Sequence, residues 1–264
     1  MPRARTPWIM LIAALYAASA HAESMTMRLG YSDAEAPPYL IRHDTQPSGV
    51  AMDIIRQAAT DIGINLEFLR MPNRRVMENL KLGEIDGAFM FSFNTERMPN
   101  GQYPMKDGEL DEEKRIAVLS YFLYRRKGAD LHWDGHRLSG TDLFIGANNG
   151  YSIANDLRKM GVAVEEARTT EQNFSKLKLG RITAVAHQDL VADLYLEATG
   201  MQQVEKIYPP LSTKRYFLML SHGFVAEHPE LADRLWTRIG EIRDSTTRQV
   251  LPQYTDYMKS LERP

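Results

Sequence analysis

The residues of this chain best suited to chemistry lie in one short loop, Ser92-Phe93-Asn94-Thr95-Glu96-Arg97. A guanidinium is a planar fork that meets a carboxylate bidentately, and Ser92, Asn94 and Thr95 place neutral hydrogen-bonding groups beside it. The chemistry on offer is the holding of a small anion. On residue type alone an ordinary surface arginine fits the same loop. A second candidate is Gly146-Ala147-Asn148-Asn149-Gly150-Tyr151-Ser152, which joins a strand to a helix. Glycines there let backbone amides approach a ligand, and the free N–H groups of a helix start attract anions. Ser152 reads equally as that helix's cap or as a ligand contact. The third candidate is Asp189 at a strand exit, which could accept from an ammonium group or cap the next helix. Its neighbours His187 and Gln188 rank below it, because alternation along a strand sends one of each pair into the core.

Other chemistries find no support. There is no G-x-S-x-G, no P-loop and no H-E-x-x-H. His132 and His136 are four apart, but Trp133-Asp134-Gly135 between them reads as loop, so neither a metal nor another cofactor is expected. Arg74 and Arg75 fit a solvated helix face, and the acidic run Glu109 to Glu113 an exposed loop.

The elements that must position these residues repeat. Leu-Lys-Leu-Gly occurs at Leu80 to Gly83 and again at Leu177 to Gly180, an offset of 97 that pairs Ser92 with Asp189. In the first unit the pattern predicts a strand over Met27 to Tyr31 and a loop to Pro47. A helix follows, carrying Val50, Ile54, Ile55, Ala58, Ala59 and Ile62 at helical spacing and closed by Gly63. Ile64 to Leu69 and Ile85 to Phe91 read as strands around a helix over Asn73 to Leu82. The second unit runs in the same order: strand 143–147, helix 152–160 closed by Gly161, strand 162–164, helix 170–179 and strand 183–187. Such alternation implies parallel sheets with helices on both faces, and ligands beyond the carboxyl ends of the strands.

Ala117 to Arg125 and Arg215 to Leu220 have strand character and read as two crossings between lobes. Behind His228-Pro229, Leu231, Leu235, Ile239 and Ile242 form a helical stripe, and a last helix is expected from Pro252 to Leu261. The domain plan is a signal peptide over 1–22, the first part of lobe 1 over 23–118, a crossing over 119–126 and lobe 2 over 127–213. A second crossing spans 214–221, and 222–264 returns to lobe 1.

Arg3 and Arg5, the apolar run Trp8 to Ala18 and Ala20-His21-Ala22 have the layout of a cleaved secretory signal, too short to span a bilayer. A soluble, monomeric, periplasmic product is expected. No cysteine is present for a disulfide or a lipid, so about 240 mature residues must be stabilised by their core. Setting aside Arg3 and Arg5 takes 32 basic residues to 30 against 34 acids, a formal charge of −4 that argues against nucleic acid as a partner.

The signal peptide, Gly83-Glu84-Ile85-Asp86-Gly87, Thr95-Glu96-Arg97, the two crossings and Gly180-Arg181-Ile182 together resemble the periplasmic solute-binding proteins of family 3. These are the polar amino-acid-binding proteins of ABC transporters. The resemblance implies an α/β, two-lobed type II periplasmic-binding fold, each lobe a mostly parallel sheet flanked by helices. It places a ligand carboxylate on Arg97 with Ser92 beside it, an ammonium on Asp189, and further carboxylate contacts on Gly150, Tyr151 and Ser152. The chain departs from the pattern in several places. Ala36 stands where relatives often have a stacking aromatic, with Glu35 beside it and Tyr39 following, so both join the candidate contacts. Tyr151 replaces a small hydroxyl residue, the last strand is one residue longer, which makes Gln188 a rival to Asp189, and Gly101 to Lys114 is an insertion near the cleft. The function implied is capture of an amino acid or related carboxylate by hinge closure and delivery to a membrane permease. Two alternatives share the fold: a sensor subunit for a membrane receptor, and a cyclohexadienyl-dehydratase-like enzyme using Glu35 or His187 as acid.

Overall fold

Met27 and Leu29 are fully buried while Arg28 between them is not, the alternation that makes β1 (Thr26–Ser32) a strand with one face on a core. The structure, a computed structural model, describes residues 25–34, 36–41 and 47–260, with side chains to Asp256. The proposed signal peptide and Glu35 lie outside the described residues. From β1 the chain enters α1 (Val50–Ile62), whose seven buried residues share one face. Gly63 then takes a left-handed φ of 79° and closes the helix through its N–H to Thr60 and Ala59 carbonyls. β2 (Asn65–Met71) pairs parallel with one side of β1, and after α2 (Asn73–Leu82) β3 (Gly87–Ser92) pairs with the other.

The insertion forms a small hairpin, β4 (Met105–Lys106) and β5 (Glu109–Leu110), followed by a short 3₁₀ turn at Glu112–Lys114, so the acidic run is folded rather than loop. β6 (Ala117–Arg126) makes the first crossing. Beyond a second hairpin, β7 (Leu131–Trp133) and β8 (Leu138–Gly140), the repeated unit follows. It comprises β9 (Phe144–Asn148), α3 (Ser152–Lys159), β10 (Ala163–Ala167), α4 (Thr170–Lys178), β11 (Ala184–Gln188) and α5 (Asp189–Thr199). β12 (Val204–Leu220) returns as the second crossing, much longer than the six residues its sequence suggests, because it pairs first with β6 and then with β3. The order in the sheet is β10-β9-β11-β6-β12-β3-β1-β2. Each lobe contributes a parallel set, and the two crossings run antiparallel between them.

After α6 (His222–Glu227), the final helices expected from the sequence are one element, α7 (Pro229–Ser260), with Pro252 inside it. A proline forfeits its own N–H bond and strains the preceding turn, yet here the chain continues through it. Leu235, Ile239 and Ile242 of α7 bury against α1 and β1 in the core of the first lobe. The second lobe has its own core around Ile145, Ile153, Leu157 and Ala186.

One irregularity bears on the site. Phe91 pairs with Phe217 and Phe89 with Leu218, so Met90 is an extra residue bulged out of the ladder at a left-handed φ of 61°. Strict alternation would put Phe89 and Phe91 on one face. The bulge sends them into different cores and leaves the Met90 side chain between the two lobes.

Candidate functional site

Arg97 sits on a 3₁₀ turn, Thr95–Asn100, that begins three residues past the end of β3. Asn94 caps that turn through the Glu96 N–H, at 2.9 Å, so its side chain serves the loop's shape. The guanidinium folds back over Phe91, with Cζ 5.3 Å from the ring centre. Nη1 donates to the Ser92 carbonyl at 2.9 Å and hydroxyl at 3.0 Å, and Nη2 reaches across to the Gly150 carbonyl at 3.3 Å. These bonds use three of the five N–H donors an arginine carries, leaving donors for an anion. Tyr103, from the insertion, donates to the same Ser92 carbonyl at 2.8 Å and is wedged against Phe93 and Phe217. Burial pushes its phenol up to about 12, with the Arg97 charge opposing. The insertion thus braces the loop that carries Arg97.

From the other lobe, the β9 to α3 turn closes on this arginine. Gly150 has φ +75°, and a Cβ there would lie 2.9 Å from the Asn73 Cβ of the first lobe. Only glycine allows that approach. Ser152 is the first residue of α3 rather than its cap, a position held by Tyr151. Its hydroxyl lies 3.0 Å from that of Ser92 and accepts from Lys214 Nζ at 2.8 Å. Lys214 is also paired with Asp156; burial lowers its pKa and the Asp156 carboxylate opposes that shift. At the rim, Glu96 meets Lys159 at 2.6 Å, Asp33 meets Arg168 at 2.9 Å, and Asn73 donates to the Asn149 carbonyl at 3.2 Å. The two lobes are therefore closed on one another.

Between them lies a small cavity of about 30 Å³. Arg97, Ser92, Gly150, Tyr151 and Ser152, all expected at the site, converge on it. Its apolar wall is Met90, Leu40 and Ala36, and its floor is Tyr121, Tyr216 and Gln188. Burial pushes the Tyr151 phenol up to about 12. Asn94 instead lines an adjoining groove with Glu96 and Arg158. Tyr39 packs against both lobe cores, its phenol raised by burial and by the nearby Asp189 carboxylate, while its neighbours Ala36 and Leu40 reach the cavity.

Asp189 does not line the cavity; Gln188 does. The Asp189 carboxylate accepts from the Leu190 N–H at 2.8 Å, at the start of α5. His187 is fully buried behind the site, 2.8 Å from the Thr170 hydroxyl, and burial lowers its pKa to about 4. It is neutral at pH 7 and offers the cavity no acid. Lys214, Asp156, Tyr121 and Tyr216 escaped the sequence reading. The crossings carried the available signal: strands that pass between lobes must place one face on the cleft, and Tyr121 and Tyr216 are directed there. Among the described residues no cluster of side chains could hold a metal.

Two α/β lobes joined by two crossing strands, with a polar cavity closed between them, define a two-lobed fold with its cleft at the joint. Residues 27–103 match the model of the bacterial extracellular solute-binding proteins, family 3. No curated protein matches the chain. Among solved structures it is similar to the GluR0 ligand-binding core of Nostoc punctiforme in complex with L-glutamate, at 18% identity and a TM-score of 0.69, over 87% of this chain and 99% of that one. An ancestral arginine-binding protein bound to arginine is similar at 20% identity and 0.70, over 87% and 97%. The substrate-binding protein of an amino acid ABC transporter is similar at 16% and 0.64, over 90% and 98%. At these identities the likeness is one of fold. The family match covers residues 27–103, and along the rest of its length the chain shares the fold of these structures.

Proposed function

We propose that this protein captures a small carboxylate by closing its two lobes on it and delivers it to the permease of an ABC transporter. The observation that supports this is Arg97, held by both lobes through Ser92 and Gly150, with N–H donors to spare at the edge of the cavity. Ser92, Ser152 and the start of α3 would complete the anion clamp. The described residues lining the cavity include no carboxylate, so an anion meets attraction without an opposing charge. Ligand contacts from both lobes would favour the closed form, and only that difference in affinity can shift the equilibrium. Delivery fits the neighbour from an amino acid ABC transporter, and export of a monomer to the periplasm fits an extracellular family.

The test is titration calorimetry of the mature protein with amino acids and other small carboxylates, repeated on Arg97→Ala. Loss of binding in the variant is expected; equal affinity of the two proteins for an identified carboxylate would sink the assignment. A second reading, a sensor subunit that presents its closed form to a membrane receptor, is favoured by the likeness to the GluR0 ligand-binding core. Adjacent permease and ATPase genes would support transport, whereas an adjacent kinase or cyclase gene would support sensing.

A further inference from the structure

The floor of the cavity carries two hydrogen-bonding groups that the protein itself does not match. Tyr121, Tyr216 and Gln188 are 1%, 3% and 3% exposed, and all three line the cavity that Arg97 enters. Their protons can be counted. The phenol oxygens stand 2.9 Å apart, so one phenol donates to the other. Gln188 Nε2 donates to the same two oxygens, at 2.7 Å to Tyr216 and 3.3 Å to Tyr121. Among the described residues, that leaves Gln188 Oε1 without a donor and one phenolic proton without an acceptor. Burial raises both phenols well above their ordinary range, so both keep their protons. Buried polar groups left unmatched are costly, and the residues that carry these line the cavity a ligand would enter.

The chemistry of that ligand follows from the pair. An ammonium has three donors and no acceptor, so it would satisfy Gln188 Oε1 but oppose the spare phenolic proton. It would also bring positive charge into the cavity of Arg97, where no described lining residue is a carboxylate. A carboxylate only accepts and would oppose Gln188 Oε1. A hydroxyl both donates and accepts, and so matches both groups.

We propose that the ligand is a hydroxy-carboxylate, its carboxylate on Arg97 and its hydroxyl on Gln188 and the tyrosine pair, and that Gln188 is the residue that selects against the ammonium counterpart. This rests on the carboxylate reading above. The test is calorimetry on the full mature chain with isosteric pairs: lactate and alanine, malate and aspartate, 2-hydroxyglutarate and glutamate, 4-hydroxybutyrate and 4-aminobutyrate. In every pair of which either member binds, the hydroxy acid is expected to bind at least about tenfold tighter, a difference of the kind that unmatched buried groups impose. Gln188→Glu replaces the amide by an acceptor-only carboxylate of the same shape, and should narrow or reverse the preference. The parent's ratio stands as a test even if that variant melts early. Equal affinity within pairs, or an amino acid preferred while Arg97→Ala still abolishes its binding, would overturn the proposal and leave the carboxylate reading intact. Binding of no member of any pair would overturn both.

Discussion

At the end of β3 the cavity meets Ser92 and a cation, Arg97; at the end of β11 it meets Gln188, with both phenols of the crossings hydrogen-bonded to its amide. The strands end units of the same design. Both follow a helix closed by Leu-Lys-Leu-Gly, with Gly83 and Gly180 left-handed at φ 71° and 72° and with Leu82 and Leu179 exposed alike at 64% and 66%. Yet one end is charged and the other neutral. The difference also has a geometric part. Counting by 97 pairs Ser92 with Asp189, but β3 contains one residue more than its ladder needs, Met90, and β11 has no such bulge. Discounting Met90 pairs Ser92 with Gln188, and the asymmetry between acid and amide follows from a single inserted residue.

If the first lobe supplies the charge and the second only neutral polarity, Arg97→Ala should cost about 2 to 5 kcal/mol of carboxylate affinity, by analogy with truncated charge pairs. Gln188→Leu should cost about 1 to 3 kcal/mol, as for a lost neutral partner. Titration of both variants with one ligand gives the order; equal losses would break the contrast. The second lobe also hides a titrating group that the first lacks at the matching place. The folded pKa of His187, about 4, lies below its ordinary value of 6.5 because burial disfavours the imidazolium. An unfolded chain binds that proton more readily, so stability should be full above pH 6.5 and fall as the pH drops toward 4. The loss amounts to roughly 3 kcal/mol. Denaturant melts at pH 7 and pH 4.5 should diverge less in His187→Gln.

The bulge itself can be probed. A left-handed residue other than glycine carries a strain of about 1 to 2 kcal/mol, and a β-branched one carries more. Met90→Val should therefore melt below Met90→Gly although it retains more apolar bulk; the reverse order would mean that packing, not backbone, dominates there. The smallest effect belongs to the rim. Glu96 and Lys159 are exposed, and Glu96→Gln should leave both melting temperature and ligand affinity nearly unchanged.

Much of the architecture was legible because it is local. Apolar spacing in 50–62, glycines at 63, 83 and 180, and the doubled tetrapeptide give the repeated β-α-β-α-β order without reference to distant contacts. The Arg97 loop was legible too, since its polar residues gather within six positions. Harder features depend on long-range pairing. Nothing in the sequence around Met90 marks it as a bulge; the need for one arises from matching β3 to β12, more than a hundred residues away. Lys214 opens the second crossing of the domain plan, but its purpose becomes visible only when α3 delivers Ser152 and Asp156 to it. Tyr121 and Tyr216 read as strand residues with high β-propensity, because the face they occupy depends on which way the crossings turn between lobes.

The long crossing β12 loses its pairing with β6 between Ile207 and Ser212, opposite Phe122, while the ladders on either side are regular. Residues 208–211 therefore leave the ladder on the second lobe's side of the crossing, where the Pro209 carbonyl accepts from the Trp133 indole of the β7–β8 hairpin. The ribbon that passes between the lobes, Ala117 to Tyr121 against Ser212 to Tyr216, is unbroken. The joint is thus a paired ribbon, and any turn of one lobe against the other must be taken up as twist along it, which makes it a spring as well as a tether.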